Sequence, residues 1–402
     1  MTRQEAAIQY IETNYLQFNR LRYDVVGGKL QIRDADNRWR EMSKQEINSA
    51  VCACAQEYQT NVSAREIITV LQSNIVPSVH PLREYVLSLQ PYTPDQPDWI
   101  DWVASQVRVK PLGDEAKGEE LWRTCFKKWF VGMVASWLKD EVVNHQVLVL
   151  IGRQGIFKTT WLEHLIPPEL RAYCCKFANT TQINKDDRLR LAEFGLINLD
   201  ELDSMSSREL NTMKSIITAS DVNERVAYGY TKERKIRLAS FCASSNRREF
   251  LTDITGNRRW LPFEVENIQN PYETILPYER MYAQARYLIQ YGFNYWFDLD
   301  DIATLEEHNE TFRAQESEEQ LLPILFDVPA EGRGEFMTTA QISERLVTYG
   351  NIKKPMPLNR LGVLLGTIGY QKKVIGKQRL RGWLVYQRST DEINANKNLY
   401  AK

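Results

Sequence analysis

Apolar residues recur at helical spacing over residues 4–21 and then alternate with polar ones over 23–39, around the turn-forming Gly27-Gly28 and Asp34-Ala35-Asp36. That pattern predicts a helix followed by a hairpin. Helical spacing returns over 43–57 and 63–73, each stretch opening on a serine that can cap the N-terminus, Ser43 or Ser63. Three prolines within residues 89–99 end this part of the chain and predict a linker. Beyond it, an amphipathic helix or helix pair is expected over 114–140, with Leu121, Cys125, Phe126, Trp129, Phe130, Met133, Val134 and Trp137 on its apolar side. The aromatic stripe reads as core, the alternative being a platform for stacked bases. The apolar runs then shorten: residues 147–151 predict a strand entering a glycine-containing turn and a helix over 158–165, and residues 196–199 predict a strand ending in two acids. Further strands are expected at 236–244 and 260–265, and a helix at 277–291. Strand, phosphate-type loop, helix and strand in this order predict an α/β domain of P-loop layout.

A charged, apolar-poor stretch over 306–320 introduces the last part of the chain. Helices at 338–349 and 359–368 and a strand-turn-strand at 371–387 give the outline of a winged helix. Between Met337 and Arg388 ten basic residues, including Lys372, Lys373, Lys377 and Arg379, face a single acid, Glu344, a net +9. In a winged helix the second helix and the wing are the surfaces that meet DNA. The expected organisation is an N-terminal α+β domain over 1–95, a P-loop domain over 96–305, and a linker with a basic winged-helix-like domain over 306–402.

Over the whole chain 51 Lys and Arg balance 52 Asp and Glu, so any nucleic-acid contact must be local. With 43% hydrophobic and 26% charged residues the 402-residue chain has a globular composition, which excludes disordered and collagen-like classes. Short apolar runs and an N-terminus without a signal-peptide core predict a cytoplasmic protein with no membrane partner. Six cysteines without a CxxC pair and four scattered histidines argue against a structural zinc or a disulfide framework.

The candidate chemistry begins at Gly152-Arg153-Gln154-Gly155-Ile156-Phe157-Lys158-Thr159-Thr160, between a strand and a helix. Backbone N–H groups of such a loop point at phosphates, Lys158 neutralises their terminal charge and Thr159 can hold Mg²⁺. Phe157 stands where GxxxxGK[ST] has its second glycine, so a residue with a Cβ must adopt a glycine-like conformation or the loop must differ slightly. The alternative is a basic turn that follows a strand. Asp200 and Glu201 end an apolar strand, the position for a metal-holding acid and a water-polarising base; an acidic helix start is the plainer reading. Asp203 is expected to cap or flank the helix over 207–218. Asn246, closing Phe241-Cys242-Ala243-Ser244-Ser245-Asn246, can bond a lytic water and a terminal phosphate oxygen, or be a strand-end turn residue. Arg258 and Arg259 can reach a neighbouring subunit's nucleotide as arginine fingers, or serve structural ion pairs.

These motifs together resemble the virulence-associated protein E (VapE/VirE) family of superfamily 3-type helicase ATPases from phages and mobile elements. The resemblance rests on Gly152-x-Gln154-Gly155-x-x-Lys158-Thr159, Leu199-Asp200-Glu201-Leu202, Lys214, Arg225-x-x-Tyr228-Gly229, Ser245-Asn246, and Phe250-Leu251-x-Asp253-x-Thr255-Gly256-Asn257-Arg258-Arg259-Trp260-x-Pro262, in that order over about residues 100–295. It implies an AAA+-like core that binds ATP and Mg²⁺ between the subunits of a ring, commonly a hexamer. It also implies a channel hairpin gripping DNA, which falls at residues 227–236 with Tyr230, Lys232, Arg234 and Lys235 as contacts. The implied activity is ATP-driven helicase or translocase work in replication of a phage or mobile element. The alternative is an ATP-switched DNA-binding initiator or defence regulator. No acid triad of primase-like spacing accompanies the motifs, so priming is not expected.

Overall fold

The computed structural model describes residues 1–111, 113–177, 185–224, 233–251, 257–314, 317–330, 334–353, 355–377, 379–389 and 391–393. They divide into two compact units, residues 1–248 with 258–311 and residues 249–257 with 312–402.

The first unit starts with the helix Arg3–Asn14 and a sheet of β1 (Leu21–Asp24), β2 (Lys29–Arg33), β3 (Trp39–Glu41) and β4 (Ser78–Val79), in the order β3-β2-β1-β4. The expected hairpin is β1–β2, and the chain adds β3 to it. Helices Lys44–Glu57 and Ala64–Leu71 carry reciprocal capping boxes at Ser43/Glu46 and Ser63/Glu66, which satisfy two otherwise orphaned N–H groups at each start. The proline-rich segment connects two short helices, Pro81–Ser88 and Trp99–Ala104.

The helix Glu115–Leu138 is a single rod, and its Trp122, Phe126, Trp129, Phe130 and Trp137 are fully buried. Each indole N–H meets a backbone carbonyl: Trp122 that of Ala104, Trp129 that of Phe241 and Trp137 that of Gly195. Satisfying that polar edge lowers the cost of burying these three tryptophans. The stripe is core.

Against this helix lies the central sheet of β5 (Val107–Val109), β6 (Val147–Ile151), β7 (Cys174–Phe177), β8 (Leu196–Leu199), β11 (Ser240–Ser245) and β12 (Trp260–Ile268), in the order β5-β12-β6-β11-β8-β7. Antiparallel β5 pairs with β12; the remaining ladders are parallel. Central parallel strands are covered on both faces and read as unbroken apolar runs. Val147–Ile151 and Leu196–Leu199 accordingly are buried at every position. A separate antiparallel pair, β9 (Asp221–Glu224) and β10 (Glu233–Ile236), lies along the chain between the helix Ser207–Ile217 and β11.

The single strand expected over 236–244 is broken at Arg237. This side chain is 1% exposed and donates to the carbonyls of Asn144, Ile216, Ile217, Ala219 and Ala239. Burial pulls its pKa down, while carbonyls at the C-terminal end of Ser207–Ile217 supply the negative potential that keeps it charged. Arg237→Ala is expected to destabilise the chain by about 3–5 kcal/mol, and Arg237→Lys to recover little because an ammonium cannot span the same fork of acceptors. Chemical denaturation of the three proteins checks this.

The second unit packs helices Ser317–Leu325, Thr339–Gly350 and Leu358–Ile368 on β13 (Phe326–Asp327), β14 (Glu335–Met337), β15 (Gln371–Ile375) and β16 (Leu380–Gln387). Its core includes Phe326, Leu346, Leu361, Leu365, Trp383 and Val385.

Among the described residues no helix is long and apolar enough to cross a membrane.

Candidate nucleotide site

β6, β8 and β11 run parallel, so the segments that follow them emerge at one edge of the sheet, where open α/β sheets bind ligands. The loop of residues 152–157 leaves β6, Asp200 and Glu201 leave β8, and Asn246 leaves β11. Side chains predicted from three distant parts of the sequence meet here.

Lys158 opens the helix Lys158–His164 and is 6% exposed. Its ammonium donates to the carbonyls of Gly152 and Arg153, both at 2.8 Å, and to Asn246 Oδ1 at 3.2 Å. All three N–H donors of a lysine are thus engaged. Burial lowers its pKa, opposed by the nearby carboxylates of Asp203 and Asp200. Thr159 Oγ1 donates to Asp200 Oδ1 at 2.9 Å, Ser244 Oγ donates to the same oxygen at 2.7 Å, and the two hydroxyls lie 3.1 Å apart.

The loop backbone explains its residues. A Cβ on Gly152 would stand 2.9 Å from the carbonyl oxygen of Val265, and Gly155 adopts φ +85°. Phe157 does take the glycine-like conformation, with φ 65°, while its ring packs against the core and edge-on to Tyr272 at 6.3 Å. Glu201 also has a left-handed backbone, φ 53°, in the turn after β8. Two non-glycine residues therefore hold a conformation costing about 1–2 kcal/mol each at one site, a strain of the kind that packing sustains where geometry matters.

Gln154, Ile156 and Thr160 fall within the loop and the helix start as expected. Asp203 differs from expectation. Ser206, with Glu209, caps the helix Ser207–Ile217, and Asp203 Oδ1 instead accepts the backbone N–H of Asn246 at 3.2 Å. Lys176, on β7, adds a cation that had no sequence signal: its ammonium is 3.1 Å from Glu163 and 3.9 Å from Asp200. Ser244 lay in plain view as part of the strand, yet only the parallel register turns its hydroxyl toward Asp200.

Arg258 and Arg259 lie away from these groups. They precede β12, whose Trp260 is in register with Val147, the first residue of β6. They therefore sit at the opposite edge of the sheet, separated from the loop by the five residues of β6, roughly 16 Å at strand rise. Burial and the adjacent Arg258 lower the pKa of Arg259. His145 is lowered there too, by burial foremost, with Arg237, Arg259 and Arg258 contributing.

Of the expected nucleic-acid contacts, Tyr230 and Lys232 lie outside the described residues, as do Arg225, Tyr228, Gly229, Asp253, Thr255 and Gly256 of the motifs. Arg234 and Lys235 belong to β10, and Lys235 is 3.6 Å from Glu193. Lys372 and Lys373 lie on β15, and Lys377 and Arg379 in the turn to β16. Lys372 covers the Trp383 ring at 5.2 Å. The helix Leu358–Ile368 is less basic than a DNA-reading helix would be, with Arg360 its one charged residue and Val363 and Ile368 exposed.

The donor set suits a small hard cation. Thr159 and Asp200 present oxygen ligands at one point, and Mg²⁺ takes few protein oxygens, keeping the rest of its shell for water and phosphate.

In three dimensions the chain is similar to the apo structure of the NrS-1 C-terminal region (305–718), with a TM-score of 0.50 at 12% identity over 95% of this chain and 99% of that chain. The A form of that region gives 0.46 at 12% identity over 94% and 99%. At this identity the likeness is one of fold. No curated protein matches. A family model, the virulence-associated protein E-like domain, matches residues 105–314, from β5 past the last strand of the central sheet. With more than half of its length matched, the chain belongs to the virulence-associated protein E-like domain family.

Proposed function

We propose that this chain is an ATPase of the AAA+-like, superfamily 3 type that works on DNA as a ring, in the replication of a phage or mobile element. The observation that carries the reading is the convergence of Lys158 and Thr159 from one loop with Asp200 and Asn246 from two neighbouring parallel strands. In this reading the loop N–H groups and Lys158 bind the phosphates of ATP, with Lys158 exchanging one of its present acceptors for a phosphate oxygen. Asp200 and Thr159 hold Mg²⁺, which when bound neutralises phosphate charge. Glu201 orients and deprotonates water, and Asn246, fixed through its backbone by Asp203, registers the terminal phosphate. Arg258 or Arg259 serves the nucleotide of an adjacent copy. The segment of residues 227–236 and the β15–β16 pair supply DNA contacts, the latter in a winged-helix-like domain. The corresponding organisation is 1–95, 96–305 and 306–402.

The test is steady-state ATP hydrolysis with and without single-stranded DNA, alongside the mass distribution of the same samples. DNA-stimulated turnover with nucleotide-dependent rings is expected; turnover absent or indifferent to DNA counts against the motor. Glu201→Gln is expected to retain ATP while slowing turnover by about 10²–10⁴. Filter binding and phosphate release on one preparation check this, and retained turnover removes Glu201 from the base role.

A second reading, an ATP-switched initiator or defence regulator, is favoured by the charge of β15–β16, where six basic residues and no acid lie between Gln371 and Arg388. Opening of a forked duplex separates the two: a switch binds the fork and leaves it paired.

A further inference from the structure

We propose that Tyr272 is the ledge on which the base of the bound nucleoside triphosphate stacks, with purines preferred. The proposal rests on the phosphate-loop reading above and concerns the base end of that same site.

β12 runs parallel to β6, so the turn that follows it rises at the same sheet edge as the loop of residues 152–157. Tyr272 stands in that turn and is 72% exposed. Its position is nonetheless fixed. Asn270 Oδ1 accepts the Tyr272 N–H at 3.1 Å, the Asn270 carbonyl accepts from the backbone of Glu273 and Thr274, and Pro271 and Leu276 on either side are buried. The ring is held edge-on by two others, Phe157 at 6.3 Å and His164 at 5.5 Å, which come from the two ends of the loop helix.

A large aromatic ring on a fixed turn, in edge-on contact with two other rings and still mostly open to water, is a surface for a planar partner. The partner's chemistry follows from the neighbours. Phe157 directly precedes Lys158, so the aromatic cluster begins one residue from the ammonium that would meet phosphate. Phosphates at Lys158 and a ring at Tyr272 describe the two ends of a nucleotide. No base-specific polar group is required: stacking is tolerant of base identity and grows with ring area, so purines outrank pyrimidines. Phe157 then gains a reason for its place in the loop, since a glycine there would relieve the backbone and remove one of those edge-on contacts.

Calorimetric titration of the full chain, with Mg²⁺, against ATP, UTP and inorganic tripolyphosphate tests this in four proteins: wild type, Tyr272→Ala, Tyr272→Phe and Lys158→Ala. Tyr272→Ala is expected to bind ATP roughly tenfold more weakly, UTP less affected and tripolyphosphate unchanged, with Tyr272→Phe close to wild type. The ledge is overturned if Tyr272→Ala binds ATP as wild type does, or if ATP and tripolyphosphate weaken together, which marks a merely structural part. Weakening of single-stranded DNA binding with ATP binding intact assigns the ring to nucleic acid and equally overturns it. The underlying phosphate-loop reading fails separately, when Lys158→Ala binds tripolyphosphate as wild type does.

Discussion

Lys158→Ala is expected to lower ATP turnover at least about a hundredfold, the scale set by removal of a preorganised charge from a phosphate-type site. The loss has two parts. The ammonium that would meet phosphate disappears, and the carbonyls of Gly152 and Arg153 and the Asn246 amide oxygen lose their shared donor. The loop therefore loses charge and an internal tie in one step. Phosphate release and nucleotide affinity measured together separate these parts: Lys158→Arg keeps the charge but cannot fit a compact ammonium's three acceptors, and is expected to bind nucleotide with little turnover. A variant that hydrolyses ATP at the wild-type rate would place the chemistry elsewhere.

Replacing one of Arg258 and Arg259 by Ala is expected to cut turnover about 10³-fold or more, the lower end for an arginine finger, while the other variant stays near wild type. Both residues stand at the edge of the sheet opposite Lys158, so an effect of that size has to act across a subunit boundary. Mixing makes this visible. The disabling arginine variant and Lys158→Ala are each inactive alone, but in an equal mixture roughly a quarter of the interfaces of a ring join an intact loop to an intact arginine. Activity reappearing in the mixture supports action in trans. Small, equal effects of the two substitutions would assign both to structural ion pairs.

What the sequence made legible was whatever fits inside one contiguous strand and its following loop. Lys158, Thr159, Asp200 and Asn246 each end or follow an apolar strand, and the parallel direction of those strands does the rest. The helices over 44–57, 64–71 and 115–138 were legible for the same reason, their caps and apolar stripes being local. Contributions from folding across the sheet were not. Lys176 approaches Asp200 because β7 is the neighbour of β8, an adjacency no spacing encodes. A carboxylate ahead of a helix by default caps it, which is what the position of Asp203 predicts, but Ser206 stands closer and forms the box. The helices Pro81–Ser88 and Trp99–Ala104 escaped because proline-flanked segments of one or two turns have weak propensity and are held by tertiary bonds, such as that from the Ile100 N–H to Gln284 Oε1.

The five carbonyls gathered by Arg237 have a consequence for how the family can vary. They bind the foot of β9–β10 to the end of one helix and to the segment entering β6, and the pairing of Asp221 with Ile236 sets the register there. The ladder from Asp221–Ile236 to Glu224–Glu233 takes its register from this foot, so length changes in the segments that Arg237 ties together are the ones the fold tolerates least. A one-residue shift there would turn every following side chain of the strand to the wrong face.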